Sequence, residues 1–307
     1  MRFEEYARMS EAELIARCDE LKRVKNAVIL GHNYQVDAVQ RVSDSVGDSL
    51  VLAQLGAASD AELIVLCGVH FMAESAKILN PSRKVIIPSL SAGCPMADMI
   101  TADELRGFKA EHPGAPVVCY VNTSAAVKAE SDVCCTSSNA VRVVESLDAA
   151  EILFVPDRNL AAYVASQTGK TIIPWDGYCT VHNMFVPEDV VVATAAHPDS
   201  PVVVHPECPP NVVKMADFVA STEGMVKLAA EHDSLIVGTE IGLIDRLKRD
   251  HPGKRFHPLS PFALCRNMKM IDLPRVVWSL DNEEHEISVP DDVRIRAQSA
   301  LARMLEC

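Results

Sequence analysis

Apolar residues in this chain fall into short unbroken runs that return in a fixed order. One set reads VILGHN (Val28 to Asn33), VVCYVN (Val117 to Asn122) and VVVHPE (Val202 to Glu207). A second set reads LIVLCGV (Leu63 to Val69), ILFVPD (Ile152 to Asp157) and LIVGTE (Leu235 to Glu240). A third opens on a basic residue and closes on proline: KVIIP from Lys84, KTIIP from Lys170 and KRFHP from Lys254. Runs of Val, Ile and Leu without polar alternation predict strands buried on both faces, hence parallel sheets covered by helices. The period is about 85 residues, and the linkers EHPGAPVV (from Glu111) and AHPDSPVV (from Ala196) stand 85 apart. Self-similarity at a fixed period is the mark of a repeated unit. The charged stretch before Lys25 predicts an amphipathic helix, and PDDVRIRAQSALARMLE a closing helix packed beside it.

Length alone would give about two domains, but the repeat divides the chain into three αβα units. The expected boundaries are 1–108 with the N-terminal helix, 109–196, 197–281, and a closing helix over 282–307. Units this small bury too little surface to stand alone, so they should lean on one another around a pseudo-threefold axis. Ligand sites in parallel sheets lie beyond the carboxyl ends of the strands. Those ends carry His32 and Asn33, Tyr120 to Asn122, and His205 to Glu207, so the expected active site is central.

Three of the ten cysteines share the register: Cys94, Cys179 and Cys265, separated by 85 and 86 residues, each just after a basic-to-proline strand. Three equivalent thiolates at one point would hold a metal or an iron–sulfur cluster with one position open. Cys67 and Cys119 lie inside apolar runs and read as buried hydrophobes. The vicinal Cys134 and Cys135 read as packing, with a redox pair as the alternative, and Cys18 and Cys307 as incidental. Cys208 competes as a ligand but has no counterpart in the other units. An N-terminus without a signal-like apolar core and no run long enough for a span point to the cytoplasm, where cysteines are more often buried thiols, ligands or nucleophiles than disulfides. A net charge of −13 with no basic stripe argues against nucleic acid.

A second device recurs. Asp44, Asp132 and Asp217 each precede a hydroxyl by five residues: Ser49, Ser137 and Thr222. Each hydroxyl is expected at a helix start, where free N–H groups and the helix dipole attract anions; taken singly it is an ordinary N-cap. Glu207 reads as a catalytic carboxylate or as the partner of a buried histidine. Tyr34 reads as a general acid or as packing.

GHNYQ, VGDSL, MAESAKILNP, GCPMAD, YVNTSA, CTSSNAV, PDRNLA, CTVH, HPECP, ADFVASTEGM, VGTEIGLI and CRNMKMIDL together resemble the quinolinate synthase family of NAD biosynthesis, from about Gly31 to Leu273. The resemblance implies three αβα units around a pseudo-threefold axis and a 4Fe-4S cluster held by Cys94, Cys179 and Cys265. It implies condensation of iminoaspartate with dihydroxyacetone phosphate, with loss of phosphate and two waters. By the same likeness, His32, Ser49, Tyr120, Val121, Asn122, Ser137, His205, Pro206, Glu207 and Thr222 bind substrate, and Tyr34, Glu207 and His205 serve catalysis. An aspartate oxidase or dehydrogenase is the implied source of iminoaspartate.

Two features depart from the pattern. Glu223 stands beside Thr222 where glycine is expected, and the C-terminal C-x-x-C-x-x-C of some members is reduced to Cys265. On the residues alone, a three-cysteine zinc enzyme with His205 or His32 as fourth ligand, and a non-catalytic iron–sulfur sensor, remain alternatives.

Overall fold

The computed structural model describes residues 2–307. Among them lie three four-stranded sheets, every pairing parallel. The first holds β1 (Ala27–His32), β2 (Ser45–Gly47), β3 (Leu63–Cys67) and β4 (Lys84–Ile86). The second holds β5 (Val117–Tyr120), β6 (Val133–Cys135), β7 (Glu151–Val155) and β8 (Thr171–Pro174). The third holds β9 (Val202–Val204), β10 (Phe218–Val219), β11 (Ser234–Gly238) and β12 (Arg255–Pro258). The order is the same each time: β2-β1-β3-β4, β6-β5-β7-β8 and β10-β9-β11-β12. These are three similar αβα units, as the periodicity predicts. The central strands are the apolar runs, and β3 and β11 are buried along their whole length. The edge strands β2, β6 and β10 were not foreseen. At two or three residues each, they are too short to carry a pattern.

The recurring aspartates explain these edges. Asp44, Asp132 and Asp217 each accept, through Oδ2 at 2.8 Å, the amide N–H of a residue in the neighbouring strand: Ile29, third in β1, and Val117 and Val202, first in β5 and β9. Their own amides donate back to the carbonyls of the same residues, at 2.8, 3.1 and 2.9 Å. A two-point clamp across 15 residues therefore aligns each edge strand. In the second and third repeats the basic residue before the last strand is equally structural, whereas Lys84 of the first pairs with Glu283. Lys170 donates to the Val144 and Leu147 carbonyls and Lys254 to those of Ala229 and Ala230, closing the carboxyl ends of Ala140–Ser146 and Thr222–Glu231. Such donors offset the orphan carbonyls and the negative pole of a helix end.

The chain divides into two compact units. One runs up to Cys94 and takes in Cys265–Ile295; the other comprises Pro95–Leu264 and Arg296–Cys307. In the first, the N-terminal helix Glu11–Val24 starts on a Ser10–Glu13 capping box. Its partner is the helix Leu273–Asn282, with Tyr6 and Arg17 both bonded to Asp281 and Phe3 edge-on to Trp278. The closing helix Asp291–Glu306 does not take that place. Its second half is tied within the other unit, where the Met304 carbonyl accepts from Asn139 and Arg296 pairs with Glu130 at 2.8 Å. No described helix is long and apolar enough to cross a membrane.

Candidate active site

Within the larger unit, the strand ends of the second and third repeats converge on Glu207. The β5 run ends at Tyr120, β9 leads into His205–Pro206–Glu207, β11 ends just before Thr239, and the loop after β8 carries Cys179 into a short 3-10 turn, His182–Met184. Tyr120 closes its strand, His205, Glu207 and Thr239 follow theirs within three residues, and Cys179 and His182 come from the loop beyond β8, all at the carboxyl ends of the sheets. The Glu207 carboxylate is buried. It accepts the Tyr120 hydroxyl on Oε1 and faces Nδ1 of His182 at 2.8 Å with Oε2. His182 also reaches Thr239 Oγ1 through Nε2 (2.8 Å) and the Cys179 sulfur through Nδ1 (3.3 Å), and it stacks on His205 at 4.4 Å. His205 Nδ1 accepts the Glu207 amide at 3.3 Å, so Nε2 carries the ring hydrogen, toward Ser137 Oγ at 3.2 Å. The side chain of Asn159 donates to the Glu207 carbonyl at 3.1 Å.

Burial pushes Glu207 toward the neutral acid. The rings of His182 and His205 and the hydrogen bonds from His182 and Tyr120 outweigh it, holding the carboxyl well below the usual range. Asp157, also buried, is driven the other way by desolvation and by the charge of Glu207, against backbone N–H bonds from Leu160, Cys179 and Asn159. It caps the helix Arg158–Gln167 through Leu160 N–H at 2.7 Å and pins the Cys179 amide at 3.0 Å. Among the described residues, Cys179, His182 and Glu207 form a donor set of the kind that holds a metal ion, their ligand atoms within 4.8 Å of one another.

In the other unit the same local device recurs. His32 Nδ1 accepts the Tyr34 amide at 3.1 Å, two residues on, as His205 does with Glu207, and the Tyr34 ring stands edge-on to His32 at 4.6 Å. Lys269, four residues past Cys265, donates to the Tyr34 carbonyl. The Cys94 and Cys265 loops are neighbours: a Cβ on Gly93 would lie 4.0 Å from the Asn267 side-chain nitrogen.

All ten cysteines are unpaired, and the register cysteines differ from most of the others. Cys94, Cys179 and Cys265 are half-buried, whereas Cys18, Cys67, Cys119, Cys134, Cys135 and Cys208 are buried. Each register cysteine sits three residues before a 3-10 turn (Ala97–Met99, His182–Met184, Met268–Met270). The carbonyl two residues before each one accepts a backbone N–H from the previous helix start, His70 to Ala92 (2.8 Å), Arg158 to Gly177 (2.8 Å) and Ile241 to Ala263 (2.9 Å). Anchored alike and half-buried rather than sealed, each of the three offers the kind of thiol donor that an iron–sulfur cluster takes. Cys208 is turned instead toward the Gly238 carbonyl.

The anion-binding hydroxyls need a finer description. Asp48 caps the helix Ser49–Ala58 and Ser221 caps Thr222–Glu231, which leaves Ser49 and Thr222 on the first helical residue rather than at the cap. Ser137 lies three residues before the helix Ala140–Ser146, against His205. The hydroxyls of Ser138 and Ser221 meet at 2.9 Å. Val121 and Pro206 are buried, the Val121 amide is bonded to the Cys135 carbonyl, and Asn122 is half-buried. Glu223 pairs with Arg246 at 2.8 Å, so its charge is matched by a guanidinium. His182, Thr239, Asp157 and Asn159 were missed as site residues. Asp157 could have been found, since it follows the second strand of its repeat and bonds the helix start beyond it, as Glu240 does in the third repeat.

Comparison with known proteins places the chain in a family. The family model described as quinolinate synthetase A protein matches residues 16–306. Quinolinate synthase 1 of Methanosarcina acetivorans is 51% identical over 299 residues, covering 97% of this chain and 98% of that protein. A quinolinate synthase of Dehalococcoides mccartyi is 54% identical over 296 residues (95% and 98%), and that of Alkaliphilus metalliredigens 51% over 301 (97% and 99%). With a family model spanning nearly all of the chain and relatives alike from end to end, the chain belongs to the quinolinate synthetase A family.

Proposed function

We propose that this chain is a quinolinate synthase, a transferase of NAD biosynthesis that condenses iminoaspartate with dihydroxyacetone phosphate. The carbon, nitrogen and phosphorus of both substrates are accounted for by quinolinate and phosphate, with two waters lost. Cys94, Cys179 and Cys265 hold a 4Fe-4S cluster, which when bound supplies a Lewis-acidic iron with an open position. The observation that carries the reading is the buried Glu207 carboxylate, gripped by Tyr120 and His182 beside Cys179. These donors keep the carboxylate ionised; as they loosen around bound substrate, it takes a proton from carbon during enolisation and returns it as hydroxide leaves. His205, with its Nε2 hydrogen toward Ser137, and the hydroxyls of Ser49 and Thr222 at helix starts offer donors to the substrate carboxylates and phosphate. His32, Tyr120, Val121, Asn122 and Pro206 complete the binding set, and Tyr34, fixed by His32, is the second proton carrier. The ten unpaired cysteines suit a reducing cytoplasm, and an aspartate oxidase or dehydrogenase is the source of the unstable imine.

Anaerobic purification followed by iron, sulfide and zinc analysis tests the cofactor, and quinolinate formation from enzymatically generated iminoaspartate tests the reaction. Four irons and four sulfides per chain, with cluster lost in each of Cys94→Ala, Cys179→Ala and Cys265→Ala but kept in Cys67→Ala and Cys119→Ala, is the expected result. A full cluster in any of the first three variants would overturn the ligand set. One zinc per chain, lost in His182→Ala, would favour the mononuclear site that Cys179, His182 and Glu207 are close enough to form.

A further inference from the structure

His182 belongs to no substrate-binding pattern in the sequence, yet it touches Glu207, Cys179, Thr239 and His205 at once. Its Nδ1 lies 2.8 Å from Glu207 Oε2 and 3.3 Å from the Cys179 sulfur, and its Nε2 lies 2.8 Å from the Thr239 hydroxyl. The ring is 2% exposed and lies flat on His205, with 19° between the planes. A carboxylate only accepts, and Glu207 already takes the Tyr120 hydroxyl on its other oxygen. The hydrogen therefore sits on Nδ1. Nε2 is left as an acceptor, and the Thr239 hydroxyl donates to it. Thr239 comes directly after β11 and so is fixed by the sheet. One hydrogen on Nδ1 faces both the Glu207 oxygen and the Cys179 sulfur.

We infer that His182 is a positioning residue, held by Thr239 in the Nδ1–H tautomer, that ties the Glu207 carboxylate to Cys179. The inference rests on the proposed quinolinate synthase reading for its kinetic consequence, though not for the bond itself. Groups that orient a metal's ligands or a catalytic side chain through a ring N–H are worth about 10- to 100-fold when removed. His182 acts through Glu207, so its loss falls on kcat and leaves KM nearly unchanged. An N–H directed at a cluster sulfur favours the more negative, reduced state, so its loss makes the midpoint potential more negative.

The test compares anaerobic holoprotein of His182→Ala, His182→Asn, His182→Gln and Thr239→Val with the parent, each at equal iron content. Asparagine puts an amide nitrogen near the Nδ1 position, whereas glutamine reaches toward the Nε2 position. Expected are a kcat loss of about 10- to 100-fold for alanine, most of it recovered by asparagine and none by glutamine, and a smaller loss for Thr239→Val. In the Glu207→Gln background, His182→Ala should cost nothing further, because the pair acts as one. Equal losses in both backgrounds, rescue by glutamine as good as by asparagine, or a loss confined to KM would overturn the link to Glu207. An unchanged midpoint potential in His182→Ala would overturn the link to Cys179. If His182→Ala does not fold, the asparagine, glutamine and Thr239→Val comparisons decide alone. Parent protein with a full cluster and no quinolinate formation would remove the enzyme reading, and the potential of the variants would still report the bond to Cys179.

Discussion

Glu207 combines properties that pull against each other. It is buried, which costs an ionised carboxyl several kcal/mol unless it is paired, and it is held ionised by the groups around it. Such an arrangement persists where chemistry needs the charge. Glu207→Gln keeps the shape and removes the base, so quinolinate formation should fall by about 10²- to 10⁴-fold while iron content and the melting point stay near those of the parent. Tyr34→Phe should behave alike. Its peptide is fixed by His32 and Lys269, so removing the hydroxyl leaves the loop in place. Activity within a factor of a few of the parent in either variant would make that residue structural. At this scale the sequence was readable where repeat register points to residues that the structure gathers: Tyr120, His205 and Glu207 at strand ends, with Cys179 beside them. His182 was not, because it meets Glu207 and Thr239 only when a turn of one repeat reaches the strand ends of the next, 25 and 57 residues further on.

Elements were legible in proportion to their length. Central strands were predicted within a few residues, since burial on both faces imposes unbroken apolar runs. Helix starts were placed one residue too late at Ser49 and Thr222, because Asp48 and Ser221 satisfy the first N–H groups. The capping cost therefore belongs to Asp48→Ala and Ser221→Ala, each about 1 kcal/mol of stability. Ser49→Ala and Thr222→Ala should leave the melting point nearly unchanged and weaken quinolinate binding instead, by about 1.5–3 kcal/mol per lost bond to a charged group. Paired thermal melts and equilibrium binding check this; a lowered melting point with unchanged binding for Ser49→Ala and Thr222→Ala would remove the anion role. The docking of the N-terminal helix carries a pH signature. Burial raises the Asp281 carboxyl, but bonds from Tyr6 and Arg17 outweigh it and bring the net shift below normal. Tyr6 is pushed up to about 12, first by burial and then by Asp281. The depressed carboxyl contributes stability above its unfolded value, near 3.9, that is lost as pH falls through the folded value. The raised phenol contributes stability below pH ~10 that is lost as pH climbs through about 12. Tyr6→Phe should flatten the alkaline limb of a denaturation-against-pH curve; an unchanged limb would show that Tyr6 does not cause it.

Across the whole molecule, the threefold period was legible because each unit repeats its strand order, its edge clamp, its cysteine loop and that loop's anchor. The closing helix was misread, since an amphipathic pattern says that a face is covered and not by what. Its polar positions Arg296 and Arg303 find Glu130 and the Asp132 carbonyl, both in the second repeat. The extra carboxylate at Glu223, puzzling in sequence, is matched by Arg246, which lies 23 residues further along the chain.

The aspartate clamps bear on how the chain reaches this state. Each closes a span of 15 residues, a short loop whose entropic cost is small and whose closure takes well under a microsecond. Every repeat thus carries its own early nucleus, and refolding need not begin from one end. Removing a clamp by Asp132→Ala or Asp217→Ala should slow refolding more than it speeds unfolding, with φ above about 0.5, at a cost of about 1.5–3 kcal/mol for a charged acceptor lost. Stopped-flow chevrons of the two variants read this directly. A change carried wholly by the unfolding limb would mean that the clamp forms late, after the sheets have paired.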